Sequence, residues 1–204
     1  MNEPSSIANI SINNAEFGLF QKLIFEIAGI SLSEAKKILL VGRLSKRLKA
    51  LGFVNFSQYY KHVTDGNASA ERQTMVDLLT TNETYFFREP KHFEHLRQLA
   101  TKHRRGTVFR AWSAASSSGE EAYTMAMVLA ETLGDGLWEI VGSDISSRVL
   151  AKAQRGQFPL ERTQGIPNEL LRKYCLKGLQ EHAGTLLITR ELRDRVKFIH
   201  SNLM

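Results

Sequence analysis

The sequence predicts a small all-helical unit followed by an α/β unit with a parallel sheet and a small β insertion. Three observations point there. Apolar residues recur at helical spacing as far as His103. Short β-prone runs appear only after Gly106. Between the first two of these runs lie a small-residue loop and a helix-patterned segment, giving the order strand, loop, helix, strand. The division is expected between residues 89 and 90, with the second unit covering 90–204.

The composition bounds the class. With 204 residues, 43% hydrophobic and 24% charged, the chain has the make-up of a globular protein of one or two compact domains. No apolar run approaches the roughly 20 residues that cross a bilayer. Met1-Asn2-Glu3-Pro4-Ser5-Ser6 lacks the basic start and apolar core of a secretory signal. The single cysteine, Cys175, excludes an intrachain disulfide, so a cytoplasmic location is expected. A net charge of +6 permits an anionic partner and selects none.

Residues 1–13 are polar and expected to fray. Phe17, Phe20, Ile24 and Ile27 then mark a helix from Asn14, as N-cap, to Gly29. A second helix opens at Ser33-Glu34 and runs over 33–51, with Leu40, Val41, Leu44, Leu48 and Leu51 on one side. Its other side carries Lys36, Lys37, Arg43, Lys46, Arg47 and Lys49, with Glu34 the only acid. Such a stripe is either a solvated face or a surface that docks on an acidic helical partner, because the usual interleaved acids are missing. It lacks aromatic interleaving and any base-reading motif, so no nucleic-acid partner is assigned. Ser57–Val63 and Ala70–Leu79 read as further helices, the latter capped by Ser69. Pro90 opens another through Lys102, with Phe93, Leu96 and Leu99 inward. His92 and His95 share a face of it, but no third ligand stands at a recognised spacing and no metal is assigned.

Between these last two helices stands Thr80-Thr81-Asn82-Glu83-Thr84-Tyr85-Phe86-Phe87-Arg88-Glu89. A link mixing an amide, hydroxyls, aromatics, a cation and carboxylates would line a pocket for a small, mostly planar ligand. Equally, Phe86 and Phe87 would simply plug the core.

In the second unit, Val108–Trp112 and Trp138–Asp144 read as strands, with Thr185–Thr189 and Val196–His200 after them. Ser113–Gly119 is a loop of small residues before a helix that Gly134 stops, and Ser146 caps the next helix. This βαβ order is that of a Rossmann-type fold of the dinucleotide or methyltransferase kind. Small residues let a ligand approach the backbone beside a helix N-terminus. Only Gly119 resembles a pyrophosphate loop, and Glu120 and Glu121 would repel a phosphate while suiting a cationic ligand. Their simpler role is to favour the helix N-terminus. Asp144 stands where an acid takes ribose hydroxyls.

Taken together, several strings resemble the CheR-type chemotaxis receptor methyltransferases. They are Arg43, Arg47, Leu48 and Leu51-Gly52; Thr80 to Glu89; Trp112-Ser113-Ala114-Ala115 through Gly119-Glu120-Glu121-Ala122-Tyr123; and Gly142-Ser143-Asp144-Ile145. Ser118 and Ala122 stand where the family often has Thr and Pro.

The resemblance implies methyl transfer from S-adenosylmethionine to glutamate side chains on the cytoplasmic helices of chemoreceptors, leaving S-adenosylhomocysteine and needing no metal. It implies a Rossmann-like methyltransferase domain after a helical one, with a β-subdomain over about 177–195 that grips a receptor tail peptide in some members. It places Asn82, Thr84, Arg88, Glu121, Asp144, Asn202 and Leu203 at the cofactor, with Arg88 the catalytic side chain that orients the incoming carboxylate. Lys36, Lys37, Arg43, Lys46, Arg47 and Lys49 become the receptor-docking set. A cytoplasmic monomer without membrane insertion is expected. That family continues well past Asn202-Leu203 into further sheet strands and a further Asn and Tyr near the methyl-transfer site. A chain ending at Met204 is therefore expected to be a shortened form, with an open edge on its first strand and impaired turnover.

Overall fold

The computed structural model describes residues 10–204. Residues 1–9 of the expected frayed stretch, including Met1–Ser6, lie outside the described residues. Within that stretch Ile12 is buried and Asn13 is a helix cap. The described chain forms two compact units that divide between Thr80 and Thr81 rather than between 89 and 90. The link from Thr81 to Glu89 belongs with the second unit because Phe86 enters that unit's core.

Among the described residues the first unit holds four α-helices: α1 (Asn14–Ala28), α2 (Lys37–Ala50), α3 (Phe56–Thr64) and α4 (Ser69–Leu79). Asn13, one residue ahead of expectation, caps α1 through a reciprocal pair. Its side chain accepts from Glu16 N–H at 2.9 Å, and the Glu16 carboxylate accepts from Asn13 N–H at 3.0 Å. The stretch Glu34–Lys36 is a single 3₁₀ turn, so α2 starts later than the Ser33 signal suggested. Leu40, Leu44 and Leu48 recur at every fourth position of α2 and are fully buried. Each such side chain contributes about 1.5–3 kcal/mol on burial. Phe20 of α1 meets Phe56 edge-on at 5.9 Å and Tyr59 face-on at 6.2 Å. Leu51, expected on the apolar side, ends the helix and is 38% exposed.

In the second unit α5 (Pro90–Thr101) leads to β1 (Phe109–Ala114), α6 (Glu120–Leu133), β2 (Trp138–Asp144), α7 (Ser147–Arg155) and, after an insertion, β6 (Val196–His200). The three strands form a parallel sheet in the order β1-β2-β6, with Phe109 opposite Trp138 and Asp144 opposite His200. The central β2 is buried almost throughout, as a parallel strand covered on both faces should be. Among the described residues β1 pairs with β2 alone, leaving its other edge open. Leu99, expected inward on α5, is 49% exposed, because Phe93 and Ala100 take the buried positions.

The insertion carries a second sheet, antiparallel, of β3 (Gln157–Pro159), β4 (Cys175–Lys177) and β5 (Thr185–Ile188) in the order β3-β5-β4. Helices α8 (Asn168–Tyr174) and α9 (Arg190–Arg193) flank it. The small β-subdomain thus begins at Gln157, before the 177–195 segment expected, because β5 pairs with chain on both sides. Residues 190–193 of that segment are helical. No described helix is long and apolar enough to cross a membrane.

Candidate cofactor site

The carboxyl ends of parallel strands leave a crevice where loops and helix N-termini meet. Here β1 ends at Ala114, and the chain turns through Ala115 and Ser117, both with positive φ, into Gly119. Gly119 has φ 97°, and a Cβ there would stand 2.9 Å from Ala153 Cβ, so this turn requires glycine. Helix α6 starts at the next residue.

Asp144, the last residue of β2, is 6% exposed and ties this loop to the strand. One carboxylate oxygen accepts the Ser117 N–H at 2.9 Å; the other accepts the Ser146 N–H at 2.8 Å. Each oxygen keeps acceptor capacity for a further donor. The hydroxyls of Ser116, Ser117 and Ser146 are buried yet have no hydrogen-bond partner. Ser146 stands at the cap position of α7, as expected, but its hydroxyl makes no cap bond. Leaving a buried polar group unpaired costs about 1–3 kcal/mol. The spare lone pairs of the Asp144 carboxylate fit a ligand that donates hydroxyls, such as a nucleoside.

The two adjacent carboxylates on α6 part company. Glu121 is exposed, accepts the Ser113 hydroxyl at 2.6 Å, and lines a cavity of about 190 Å3 with His92, Phe93, Leu96, Trp112 and Met125. Glu120 is fully buried and pairs with Arg162 at 2.8 Å, so it is not free for a cationic ligand. Of the two acids expected to suit such a ligand, Glu121 alone is left.

The loop from Thr81 to Glu89 lies against the same end of α6. Phe87 N–H donates to Thr124 Oγ1 at 3.2 Å, and Phe86 is buried with its ring 5.0 Å from that of Phe158. Phe86 therefore fills the core, the simpler of the expected roles, and the half-buried Phe87 packs against it, while Tyr85 and Arg88 stay exposed. Arg88 is exposed, its guanidinium 5.8 Å from the Tyr85 ring centre, and donates to the Glu83 carbonyl at 2.8 Å. Phe87 and Glu89, the residues on either side of Arg88, both have φ 58°. Thr84 is buried and Asn82 half-buried. Ser201 N–H donates to the Asp144 carbonyl at 3.1 Å, which sets the exposed Asn202 and Leu203 just past β6, beside the end of β2. These ties bring the Thr81–Glu89 loop to the first turns of α6 and Ser201 to the end of β2, while the cavity that Glu121 lines includes neither Arg88 nor Asp144.

The basic residues of α2 are not equivalent. Arg43 donates to the carbonyls of Leu79 and Thr80 at 2.9 and 3.0 Å, and Arg47 pairs with Glu71. Lys37 is half-buried and donates to Asn14 Oδ1. Lys36, Lys46 and Lys49 are exposed. For Arg47 the acid missing from the helix itself is supplied by Glu71 of α4, a contact invisible to a reading confined to one helix. Arg43 and Arg47 are half-buried and hold α2 against α4 and the residue after it, a structural role neither alternative for the stripe included.

Residues 15–80 match the family model described as the CheR methyltransferase all-alpha domain, and residues 82–204 match the CheR methyltransferase SAM-binding domain. A chemotaxis protein methyltransferase of Escherichia coli is 38% identical over 197 residues, covering 96% of this chain and 68% of the relative. Chemotaxis protein methyltransferase 2 of Pseudomonas aeruginosa is 39% identical, covering 98% of this chain and 75% of the relative. A chemotaxis protein methyltransferase of Borreliella burgdorferi is 37% identical, covering 96% of this chain and 72% of the relative.

Proposed function

Since the chain belongs to the CheR methyltransferase family and carries that family's SAM-binding domain, we propose that it methylates glutamate side chains on the cytoplasmic helices of chemoreceptors. The product on the receptor is a glutamate methyl ester. S-adenosylmethionine supplies an electrophilic methyl on a sulfonium centre when bound. The observation that carries the reading is Asp144, a buried acid at the tip of β2 whose two oxygens hold the N–H groups of Ser117 and Ser146 in the loops that meet there. In this reading Asp144 takes the ribose hydroxyls. Glu121 holds the cationic methionine portion, and Asn82, Thr84, Asn202 and Leu203 complete the binding surface.

The nucleophile needs no general base. A glutamate carboxylate, with an ordinary pKa of about 4.3, is already ionised at neutral pH. The work left to the protein is alignment, which can supply a large part of a barrier when the reacting atoms are held at near-attack distance. Arg88 is exposed on a fixed loop and presents a guanidinium that pairs with a carboxylate in bidentate fashion. It orients the incoming glutamate while leaving lone-pair density directed at the methyl. The exposed cations Lys36, Lys46 and Lys49 of α2 meet the acidic receptor surface.

Two measurements test this. Calorimetry with S-adenosylhomocysteine should give saturable one-to-one binding. Incubation with labelled S-adenosylmethionine and a receptor signalling domain should release labelled methanol at alkaline pH, the mark of a methyl ester. Binding to neither cofactor nor receptor would refute the reading.

A further inference from the structure

We propose that Arg162 is a positioning residue for methyl transfer, fixing the Arg88 loop against the N-terminal end of α6. The proposal rests on the function just given. Arg162 lies on a one-turn helix, Leu160–Thr163, directly after β3. Its Nη2 donates to the Thr84 carbonyl at 2.6 Å and to Glu120 Oε1 at 2.8 Å. One guanidinium nitrogen thus joins the loop that carries Arg88 to the helix that carries Glu121. The proposed function assigns both elements to the site, and Arg162 fixes the distance between them.

Both partners need what Arg162 provides. Glu120 is 0% exposed, and a buried carboxylate is tolerated only when paired and hydrogen-bonded. Ser118 Oγ donates to its second oxygen at 2.6 Å, leaving Arg162 as the cation among its described contacts. Thr84 is buried in a loop with no ladder of its own, and a buried carbonyl there must find a donor elsewhere.

The loop would not hold its shape unaided. Two non-glycine residues flank Arg88 in left-handed backbone, a conformation that persists only where the surroundings enforce it. Among its ties to the rest of the unit are Arg162 on the Thr84 carbonyl, Thr124 on the Phe87 N–H, Phe158 against the Phe86 ring and Phe93 against the Phe87 ring. Arg162 supplies the first of these, and Gly165, on the same connection, abuts the Phe86 carbonyl so closely that a Cβ would collide with it.

A purely structural role, neutralising Glu120, makes a different forecast. The experiment compares the full chain with Arg162→Met and with the double variant Arg162→Met/Glu120→Gln, which removes the buried charge together with its partner. Three readouts apply: melting temperature, amide hydrogen exchange across Thr84–Arg88, and affinity for S-adenosylhomocysteine. The double variant should recover most of the melting temperature lost by Arg162→Met. It should still show exchange at least tenfold faster across the loop and affinity lowered about tenfold. In receptor methylation kcat should fall further than receptor KM rises. Wild-type exchange and affinity in the double variant would overturn the proposal. If Arg162→Met does not fold, the double variant decides alone. Should the wild-type chain bind no S-adenosylhomocysteine, the functional reading fails, while the exchange measurement still decides the tie between Arg162 and Thr84.

Discussion

The guanidinium of Arg47 on α2 closes on the carboxylate of Glu71 on α4 through both Nε and Nη2, with Nε 2.9 Å from Oε1. Tyr59 adds its hydroxyl to the same oxygen at 2.8 Å. Burial pulls the Glu71 pKa upward, but the bonds from Arg47 and Tyr59 outweigh it and hold the carboxyl below its ordinary value. Burial and the same carboxylate push the Tyr59 phenol up. Three helices of the first unit are joined by this group.

Its contribution depends on pH with a definite sign. A folded pKa below the unfolded one gives stability that is complete above the ordinary carboxylate range and is lost as pH falls through the folded value. Glu71→Gln is expected to cost about 2 kcal/mol at pH 7, the scale of a charged hydrogen-bonded pair. Thermal melts should show that gap closing on acidification below about pH 4. A gap of constant size across pH would contradict the assignment.

Arg88→Ala should separate chemistry from binding. Loss of carboxylate orientation is expected to lower kcat by about a hundredfold. Affinity for S-adenosylhomocysteine, measured by calorimetry, should change no more than about threefold, because Asp144 and the Ser116–Ser117 loop are untouched. Unchanged turnover would remove Arg88 from the reaction.

The exposed lysines of α2 should matter to the receptor and not to the fold. Lys46→Glu/Lys49→Glu is expected to raise receptor KM several-fold at low salt, with the effect shrinking as ionic strength screens it. Its melting temperature should stay near wild type. Arg43→Ala should do the reverse, lowering the melting temperature by stranding the Leu79 and Thr80 carbonyls. Equal receptor KM for wild type and the lysine double variant would exclude this face from docking.

Cys175 offers a probe of the small antiparallel sheet. Burial pushes its thiol up to about 12, so almost no thiolate exists at pH 8. Iodoacetamide should leave the folded chain unmodified over hours and label it fully in denaturant. Rapid labelling without denaturant would show that β4 opens on its own.

Local signals in the sequence located the elements well, and long-range partnerships were beyond them. Trp138–Asp144 was legible as a strand because a β-prone run ends on an acid after a glycine turn, and it forms β2 to the residue. Gly29 stops α1 in the left-handed conformation, as its place after the last apolar residue foretold. Asp144 was legible as an acid at a strand end. What could not be read was that its oxygens already hold the Ser117 and Ser146 N–H groups. Arg162 is the lone basic residue between Gly156 and Pro167, a stretch with no periodic pattern. Its partner Thr84 is 78 positions away, and no periodicity connects the two. Glu120 and Glu121 looked alike until the fold buried one and exposed the other.

The paired left-handed residues around Arg88 limit how portable the segment is. Each costs of order 1–3 kcal/mol, and that cost is met by groups on α6, β3 and the Gly165 turn. Spliced alone into another protein, the ten-residue string would relax and swing its arginine elsewhere. Moving this chemistry to a new scaffold means carrying Thr124, Phe158, Arg162 and Gly165 along with it.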